Sequence, residues 1–348
     1  MGFVWFWLVA IMMVAYVVLD GFDLGVGILH PFLARSEQDR QIMLRSIGPV
    51  WDGNEVWLLA GGGTLYFAFP LLYASAFSGF YLALMIVLWL LIMRGCSIEL
   101  RMHMEIGVWR AFFDGLFFVS SLLLAVFYGA ALGNVIRGVP LGEDGYFFLP
   151  LWTNWNIGPH PGILDWYTVI GGVVALIALA LHGSLYLAVK TEGPLQQRAR
   201  TAARRLWMAV LVLTIISLIA SLFARPDALV NYEQYPVLFI VPIAVLCALA
   251  GIIHFLRRHD DRKSFLSSCL YLTLMLVGAA VALYPRLLPS SGDASYDITI
   301  EKSLSGPHTL QVGLIWWGFG MCLALTYFVV VYRMFRGKVT LEDGGYGH

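Results

Sequence analysis

The sequence has few charged residues and few cysteines. Only 13% of its 348 residues are charged, whereas 59% are hydrophobic, and the mean hydropathy is +0.77. This composition excludes an ordinary soluble globular protein and is typical of a polytopic membrane protein. The formal net charge is zero, so it indicates neither a nucleic-acid nor an acidic partner. The four cysteines form no CxxC pair and no zinc-ligand spacing, which argues against a disulfide framework or a zinc site.

Stacked histidines and the common catalytic motifs are also missing. A bis-histidine haem site needs His pairs on facing helices, usually two or more turns apart. No predicted span carries two stacked histidines, and only His182 lies well inside one. We interpret His182 as a hydrogen-bonded core histidine or one at the lipid interface, and we predict no haem ligand and no metal site in this chain. The sequence contains no P-loop, GxSxG or HExxH motif.

Long hydrophobic runs, in contrast, follow one another along the whole chain. A membrane-spanning helix needs about 20 apolar residues, and the runs predict nine such spans. The uncharged stretch between Glu55 and Arg94 is too long for one helix, so we predict a hairpin that turns near Pro70. The first run lacks a basic leader and a cleavage signature, so we interpret it as a retained span. The predicted spans are residues 3–32, 51–69, 74–93, 114–136, 165–189, 206–224, 235–256, 264–285 and 308–332.

The lysines and arginines are unevenly divided between the predicted loops. With the N-terminus outside, 18 of the 22 basic residues fall in loops on the inner side. This division follows the positive-inside rule, and an even number of spans would break its alternation. We therefore predict an external N-terminus and a cytoplasmic C-terminus.

Two acids interrupt the first span. Asp20 and Asp23 are three residues apart, so on a helix they share one face. Carboxylates inside a membrane segment are costly and by default indicate a functional site. The alternative is a cytoplasmic helix end with solvated acids.

Three further acids lie near the inner ends of neighbouring spans. Asp52 and Glu55 are near the start of the second span, and Asp114 is at the start of the fourth. We expect these acids to converge with Asp20 and Asp23 at the cytoplasmic third of the first bundle of helices. For Asp52 and Asp114 the alternative is that they only cap helix N-termini, where acids are favoured.

Glycines and tryptophans accompany these acids. Glycine removes side-chain bulk and lets another helix approach closely, so six glycines predict close helix packing or a ligand. Trp51 and Trp57 suit a membrane-interface belt, whereas Asn54 adds polar atoms that a plain interface would not need. We interpret these three residues as an interface motif. The six glycines are Gly21, Gly25, Gly27, Gly61, Gly62 and Gly63.

Three stretches together resemble subunit II of the cytochrome bd quinol oxidases. They are residues 20–27, 49–58 and 76–81, and the similarity continues more weakly through residues 133–140, 284–291 and 332–335. Residues 93–99 also resemble this family, including its cyanide-insensitive branch. The resemblance covers essentially the whole chain in order.

The resemblance implies an all-α integral membrane protein with two four-helix bundles and one peripheral helix. The first bundle would be residues 1–136, followed by an outer loop at 137–164 and the second bundle at 165–285. A second outer loop at 286–307 would lead to the peripheral ninth helix and cytoplasmic tail at 308–348.

The resemblance also implies the activity and its partners. Such an oxidase, in the bacterial cytoplasmic (inner) membrane, couples quinol oxidation to reduction of O2 to water. Haem b, haem d and the quinol site would belong to subunit I, and none of the haems would be ligated here. Small accessory subunits and a bound quinone or lipid are further expectations.

The five acids then suggest a cytoplasmic proton path. In this hypothesis Asp52 and Glu55 collect protons, Asp23 and then Asp20 relay them, and Asp114 is an additional member. Two alternatives remain open. The acids could only hold helices together in a scaffold subunit, or the chain could be a proton-coupled secondary transporter.

Overall fold

The computed structural model describes residues 1–339 and shows a helical protein. The predicted tail beyond residue 339, with His348, lies outside the described residues. One short antiparallel ribbon, β1 (Arg286–Leu288) with β2 (Ile298–Thr299), lies in the predicted second outer loop, where no strand was expected. The helices are α1 (Gly2–Leu33), α2 (Glu37–Ile47), α3 (Trp51–Ala68), α4 (Pro70–Gly79), α5 (Tyr81–Leu100), α6 (Gly107–Arg137), α7 (Trp166–Lys190), α8 (Gly193–Ala224), α9 (Val230–Gln234), α10 (Ile240–Arg257), α11 (Asp261–Leu283), α12 (Ile300–Ser303) and α13 (Pro307–Met334).

Eight of these helices are long and apolar enough to cross a membrane, counted over residues 1–339. They are α1, α5, α6, α7, α8, α10, α11 and α13, two of them extended by a short 3-10 turn. The predicted second span, α3, is not among them, because Asp52, Asn54 and Glu55 occupy its first turns. The prediction of a multi-pass membrane protein is confirmed, whereas nine crossings stay a prediction.

Two helices begin seven or more residues earlier than predicted. α6 begins at Gly107, about two turns before Asp114, so Asp114 does not cap its N-terminus. α8 begins at Gly193, and the basic segment predicted as a loop is therefore its first half. The segment is rich in Ala, Gln and Arg, which favour helix, and its charges project beyond the apolar span.

The predicted third span is divided. The turn at Pro70 is confirmed, since α3 ends at Ala68 and Pro70 is the first residue of α4. A second break falls at Phe80, between α4 and α5. There the backbone carbonyl of Gly79 accepts a hydrogen bond from Leu149 N at 3.2 Å. A distant loop thus contacts the helix at its break, which the hydrophobic run could not reveal.

The charged segment after α1 forms a helix that the sequence analysis missed. Ser36 Oγ accepts from Asp39 N at 3.1 Å, and Asp39 Oδ2 accepts from Ser36 N at 3.2 Å. This capping box starts α2, which buries Met43 and Ile47 against the main core. The spacing Ser36-x-x-Asp39 was a readable signal of a helix start.

Loops that the predicted topology places on one face contact each other. Val139 N donates to Pro289 O at 3.0 Å, and Ser291 N donates to Val139 O at 2.8 Å. On the opposite face, Lys190 Nζ donates to Phe335 O at 2.6 Å. These contacts agree with the predicted assignment of the loops to two opposite faces. Which of the two faces is cytoplasmic stays a prediction.

Helix α1 is central to the chain. It packs against α3, α6, α7 and α11, and its second half is buried almost continuously from Asp20 to His30. Its glycines allow these contacts. A Cβ at Gly25 would lie 2.1 Å from the backbone oxygen of Leu179, and one at Gly27 would lie 2.1 Å from Ser121 Oγ. Neighbouring helices therefore approach α1 closely at these two positions.

The glycines of α3 behave differently from one another. A Cβ at Gly61 would lie 1.9 Å from Met13 Cε, so α1 also approaches here. At Gly62 and Gly63 no atom of residues 1–339 lies within 4 Å of that position. Close packing at these two residues is not found within the described chain.

This contrast gives a direct test. Gly25→Ala should destabilise the protein by about 1–3 kcal/mol or more, because the methyl group meets backbone atoms that cannot move aside. Gly62→Ala should be neutral or slightly stabilising, since it meets open space and favours helix. Thermal unfolding of the detergent-purified protein measures both. Equal midpoints for the two variants would contradict the close α1–α7 contact.

Candidate functional site

The two acids of α1 lie in the protein interior. Asp20 and Asp23 both have no exposed surface, and α1 continues ten residues further to Leu33. The alternative of a helix end with solvated acids is therefore wrong. Four surrounding helices remove both carboxylates from the lipid and from water. Each carboxylate consequently needs polar partners from neighbouring helices.

Asp20 is paired with a buried arginine from α5. Arg94 Nη2 donates to Asp20 Oδ1 at 2.6 Å, and Arg94 Nη1 donates to Asp20 Oδ2 at 2.9 Å. Arg94 Nη2 also donates to Glu55 Oε2 at 2.7 Å. Arg94 has no exposed side-chain surface, whereas 22% of the Glu55 side chain is exposed. One guanidinium therefore links a fully buried carboxylate on α1 to a partly exposed one on α3.

Asp23 has a weaker set of partners. Asn54 Nδ2 donates to Asp23 Oδ2 at 2.8 Å, and Tyr332 on α13 donates to Asn54 Oδ1 at 2.8 Å. The other carboxylate oxygen, Asp23 Oδ1, is buried and has no hydrogen-bond partner among residues 1–339. A buried carboxylate with a free oxygen can accept a proton there without breaking an existing hydrogen bond.

The remaining residues of the interface motif surround this pair. Asn54 Nδ2 also donates to the Leu19 carbonyl at 3.2 Å, so Asn54 joins α1, α3 and α13. Trp57 is 7% exposed and packs against Phe328 of α13, with ring centroids 5.5 Å apart and the rings tilted. Its assignment to an interface belt stays a prediction. Trp51 is half-buried beside Gly95, and Asp52 is exposed at the start of α3.

Asp114 belongs to a separate network. Arg101 Nε donates to Asp114 Oδ1 at 2.5 Å, and Arg101 Nη2 donates to Asp114 Oδ2 at 3.0 Å. The same guanidinium donates to both oxygens of Glu37 on α2. Asp114 Oδ1 also lies 3.5 Å from His30 Nε2. Asp20, Asp23 and Glu55 are thus brought together, whereas Asp114 ties α6 to α2 and the end of α5.

Helix α2 is held by two carboxylates whose pKa values are lowered. Burial raises the pKa of Glu37, but hydrogen bonds from Arg101 outweigh it, and the pKa falls below the ordinary 4.5. Burial likewise raises the pKa of Asp39, but the backbone N–H of Arg35 and the side chain of Arg198 lower it below 3.8. Both groups stabilise the fold most in their ionised form.

Acid should therefore loosen α2. A carboxyl group with a lowered pKa in the folded state contributes stability above its unfolded pKa, and that stability is lost as pH falls through the folded value. We expect hydrogen-exchange protection factors of α2 to fall as pH drops below about 4.5. Glu37→Gln with Asp39→Asn should lower protection at neutral pH and remove this dependence. A pH-independent protection factor in the unmodified protein would contradict the assignment.

The buried His182 uses both of its ring nitrogens in hydrogen-bond contacts. His182 Nδ1 is 2.7 Å from Ser268 Oγ, and His182 Nε2 is 2.9 Å from the Val18 carbonyl. Both ring nitrogens are occupied, which confirms the interpretation as a hydrogen-bonded core histidine. In the part of the chain that the structure describes, no three His, Cys, Asp or Glu side chains cluster as metal ligands would.

A cavity of about 590 Å³ lies between α1, α3 and α13. Trp5, Gly63, Phe67 and Trp317 are among its mainly apolar lining residues. The indole N–H of Trp5 is buried and has no hydrogen-bond partner within the described range. Gly63 therefore faces a space that an apolar molecule could occupy.

Sequence reasoning missed Arg94, Arg101 and Tyr332. The signal for Arg94 was present, because it is the first charge after a long uncharged stretch and two unpaired acids were predicted in the membrane nearby. Arg101 and Tyr332 gave no comparable signal, since Arg101 lies in a charged segment and Tyr332 follows an apolar run without any unpaired charge nearby.

Comparisons with known proteins agree on one family. The family model described as "Cytochrome bd terminal oxidase subunit II" matches residues 1–335. The "Cytochrome bd-I ubiquinol oxidase subunit 2" of Escherichia coli (strain K12) is 31% identical over 372 residues, covering 98% of this chain and 96% of that one. The "Cytochrome bd ubiquinol oxidase subunit 2" of Bacillus subtilis (strain 168) is 32% identical over 345 residues, with 97% of both chains covered.

A solved structure has the same fold. The bd oxidase from Geobacillus thermodenitrificans contains a chain that matches with a TM-score of 0.75 and 14% sequence identity. The match covers 96% of this chain and 98% of that chain.

Proposed function

The chain belongs to the cytochrome bd terminal oxidase subunit II family, and from this premise we propose that it carries a cytoplasmic proton path along α1. The family places it in an oxidoreductase complex of the bacterial inner membrane that serves electron transport, with catalysis in the partner subunit. Haem b and haem d are assigned here to that partner, subunit I. The proposal concerns what this chain adds.

The single observation that carries the proposal is the carboxylate pair of α1. Both acids are fully buried, and Asp23 keeps one oxygen without a partner in the described chain. Through Arg94, Asp20 is connected to the partly exposed Glu55. A path from the inner face to the interior of the first bundle needs this combination of exposed and buried acids.

We assign different roles to the acids. Asp52 and Glu55 collect protons at the inner surface, and Asp23 accepts and releases them. Asp20 uses both oxygens to hold Arg94, so its charge fixes the electrostatics of the path. Asp114 stands outside the path in this version, because both of its oxygens accept hydrogen bonds from Arg101.

We propose that the chain crosses the membrane nine times, through α3 in addition to the eight long apolar helices. The N-terminus lies outside. α1, α3, α5 and α6 form the first bundle, α7, α8, α10 and α11 form the second, and α13 is peripheral. Within these groups α1 contacts α3 and α6, and α7 contacts α8 and α11, while α1 and α6 also pack against α7 where the two bundles meet. The span of α13 has no buried residues in its most apolar window, which supports a peripheral position.

The bound quinone or lipid has a natural place in this scheme. The cavity beside Gly63 is mainly apolar, and Trp5 is one of its lining residues. An apolar ligand fits these features. No feature of residues 1–339 supports the transporter alternative over the oxidase subunit.

Purification of the complex tests the subunit assignment. The chain, tagged at its C-terminus, is isolated in mild detergent, and a reduced-minus-oxidised spectrum is recorded alongside the protein composition. We expect a larger membrane subunit with b- and d-type haem bands in constant ratio to this chain. An unrelated tagged membrane protein serves as control. Isolation of this chain alone, without haem bands, would contradict the proposal.

A further inference from the structure

A groove separates the predicted cytoplasmic ends of α8 and α10. Its volume is about 320 Å³, and it is lined by Arg204, Trp207 and Met208 of α8 and by Ile253 and Arg257 of α10. The pairing of these positions shows that the two helices run in opposite directions. Arg204 and Arg257 therefore lie at one end of the groove, and Met208 and Ile253 lie one turn deeper along the helices.

The two arginines have no counter-ion among residues 1–339. Both are exposed, and neither forms an ion pair or a hydrogen bond within residues 1–339. The acids that follow α10 are already engaged: Asp260 Oδ2 lies 2.9 Å from Lys263 Nζ, and Asp261 Oδ2 lies 2.6 Å from Arg200 Nη2. Among the residues that the structure describes, no acid therefore compensates the positive charge at the mouth of the groove.

Trp207 gives the groove a fixed wall. Its indole Nε1 donates to the Leu249 carbonyl on α10 at 2.8 Å. This hydrogen bond ties the ring across the two helices at the level where polar and apolar surfaces meet. Tryptophan is favoured at that level of a membrane because its ring is apolar and its N–H is polar.

We propose that this groove binds one anionic phospholipid of the cytoplasmic leaflet. The guanidinium groups of Arg204 and Arg257 hold the headgroup phosphate, because arginine matches phosphate oxygens with two parallel donors. The acyl chains lie along Met208 and Ile253. Basic pockets between membrane helices on the cytoplasmic side are suited to such headgroups. This site is independent of the acids of α1 and of the proton path.

Native mass spectrometry of the two-subunit oxidase tests the site. Delipidated complex is titrated with dioleoylphosphatidylglycerol, and with dioleoylphosphatidylcholine as the lipid of zero net charge. The test variant is Arg204→Gln with Arg257→Gln. The matched control is Arg205→Gln with Arg258→Gln, which removes the same charges from the same helices outside the groove.

We expect one high-affinity phosphatidylglycerol in the unmodified complex, weakened about tenfold or more in the test variant and less than about twofold in the control. Phosphatidylcholine should not fill the site. If phosphatidylglycerol affinity were weakened equally in both variants, the binding would depend on overall positive charge and not on this groove, which would overturn the proposal. Haem content reports that each variant is assembled, and the single variants Arg204→Gln and Arg257→Gln should each show part of the loss.

A competition experiment with inorganic phosphate distinguishes a lipid-binding site from a site that binds free phosphate. Inorganic phosphate at millimolar concentration should not displace the bound lipid, because it has no acyl chains to place against Met208 and Ile253. Complete displacement by inorganic phosphate would show a free-phosphate site and overturn the assignment to a lipid.

Discussion

Arg94→Gln is expected to destabilise the folded chain by about 3–5 kcal/mol and to reduce the yield of assembled oxidase severely. The side chain of Arg94 is fully buried and satisfies Asp20 and Glu55 together. Its removal leaves the Asp20 carboxylate without a partner inside a helix bundle. Haem-containing complex per milligram of membrane protein and the thermal midpoint of the purified complex measure the effect.

Arg40→Gln is a suitable control for this prediction. Arg40 also faces two carboxylates, at 3.9 Å from Glu37 and 3.6 Å from Asp114, but its side chain is 38% exposed. Exposed ion pairs contribute only about 0–1 kcal/mol. A yield and midpoint for Arg94→Gln that match those of Arg40→Gln would show that the buried pair is dispensable. The double variant Arg94→Gln with Asp20→Asn should recover part of the loss, because no unpaired charge remains.

Asp23→Asn is expected to lower steady-state quinol oxidase turnover by at least about tenfold, with unchanged haem content. Asparagine preserves the shape and can still accept the hydrogen bond from Asn54, but it cannot carry a proton. Oxygen consumption with a reduced quinol measures turnover. Asp23→Glu, which keeps the carboxyl group, should retain more activity than Asp23→Asn.

Asp52→Asn is the matched comparison for a surface acid. Asp52 is exposed, so water and Glu55 can replace it in collecting protons, and we expect less than about a twofold loss. A loss of haem in Asp23→Asn would instead indicate a purely structural role for this acid. Normal turnover with normal haem content would remove Asp23 from any proton path.

The sequence predicted the acids of α1 well because the physical signal was local. Two carboxylates in an apolar run cannot be left in lipid, and the helical spacing placed Asp20 and Asp23 on one face. The glycines that allow α7 to approach were readable for the same reason. What the sequence could not show was which partner each acid has, since Arg94 and Asn54 come from helices far along the chain.

The errors also have physical causes. Asp114 was grouped with the other acids because each helix was predicted to start at the end of a charged segment. In the structure α6 begins two turns earlier, within the charged segment that precedes its apolar part. The first half of α8 was interpreted as a loop for the same reason. The break at Phe80 depends on a contact with the distant residue Leu149, which no local pattern encodes.

The most direct measurement is proton uptake by Asp23→Asn oxidase in proteoliposomes, read together with anaerobic reduction of the haems by quinol. We expect uptake from the cytoplasmic side and oxygen consumption to fall together, while anaerobic haem reduction stays at the unmodified rate. That combination places the defect in proton delivery and leaves electron entry intact. Unchanged uptake and unchanged turnover in fully assembled Asp23→Asn complex would contradict the central proposal that α1 carries the proton path.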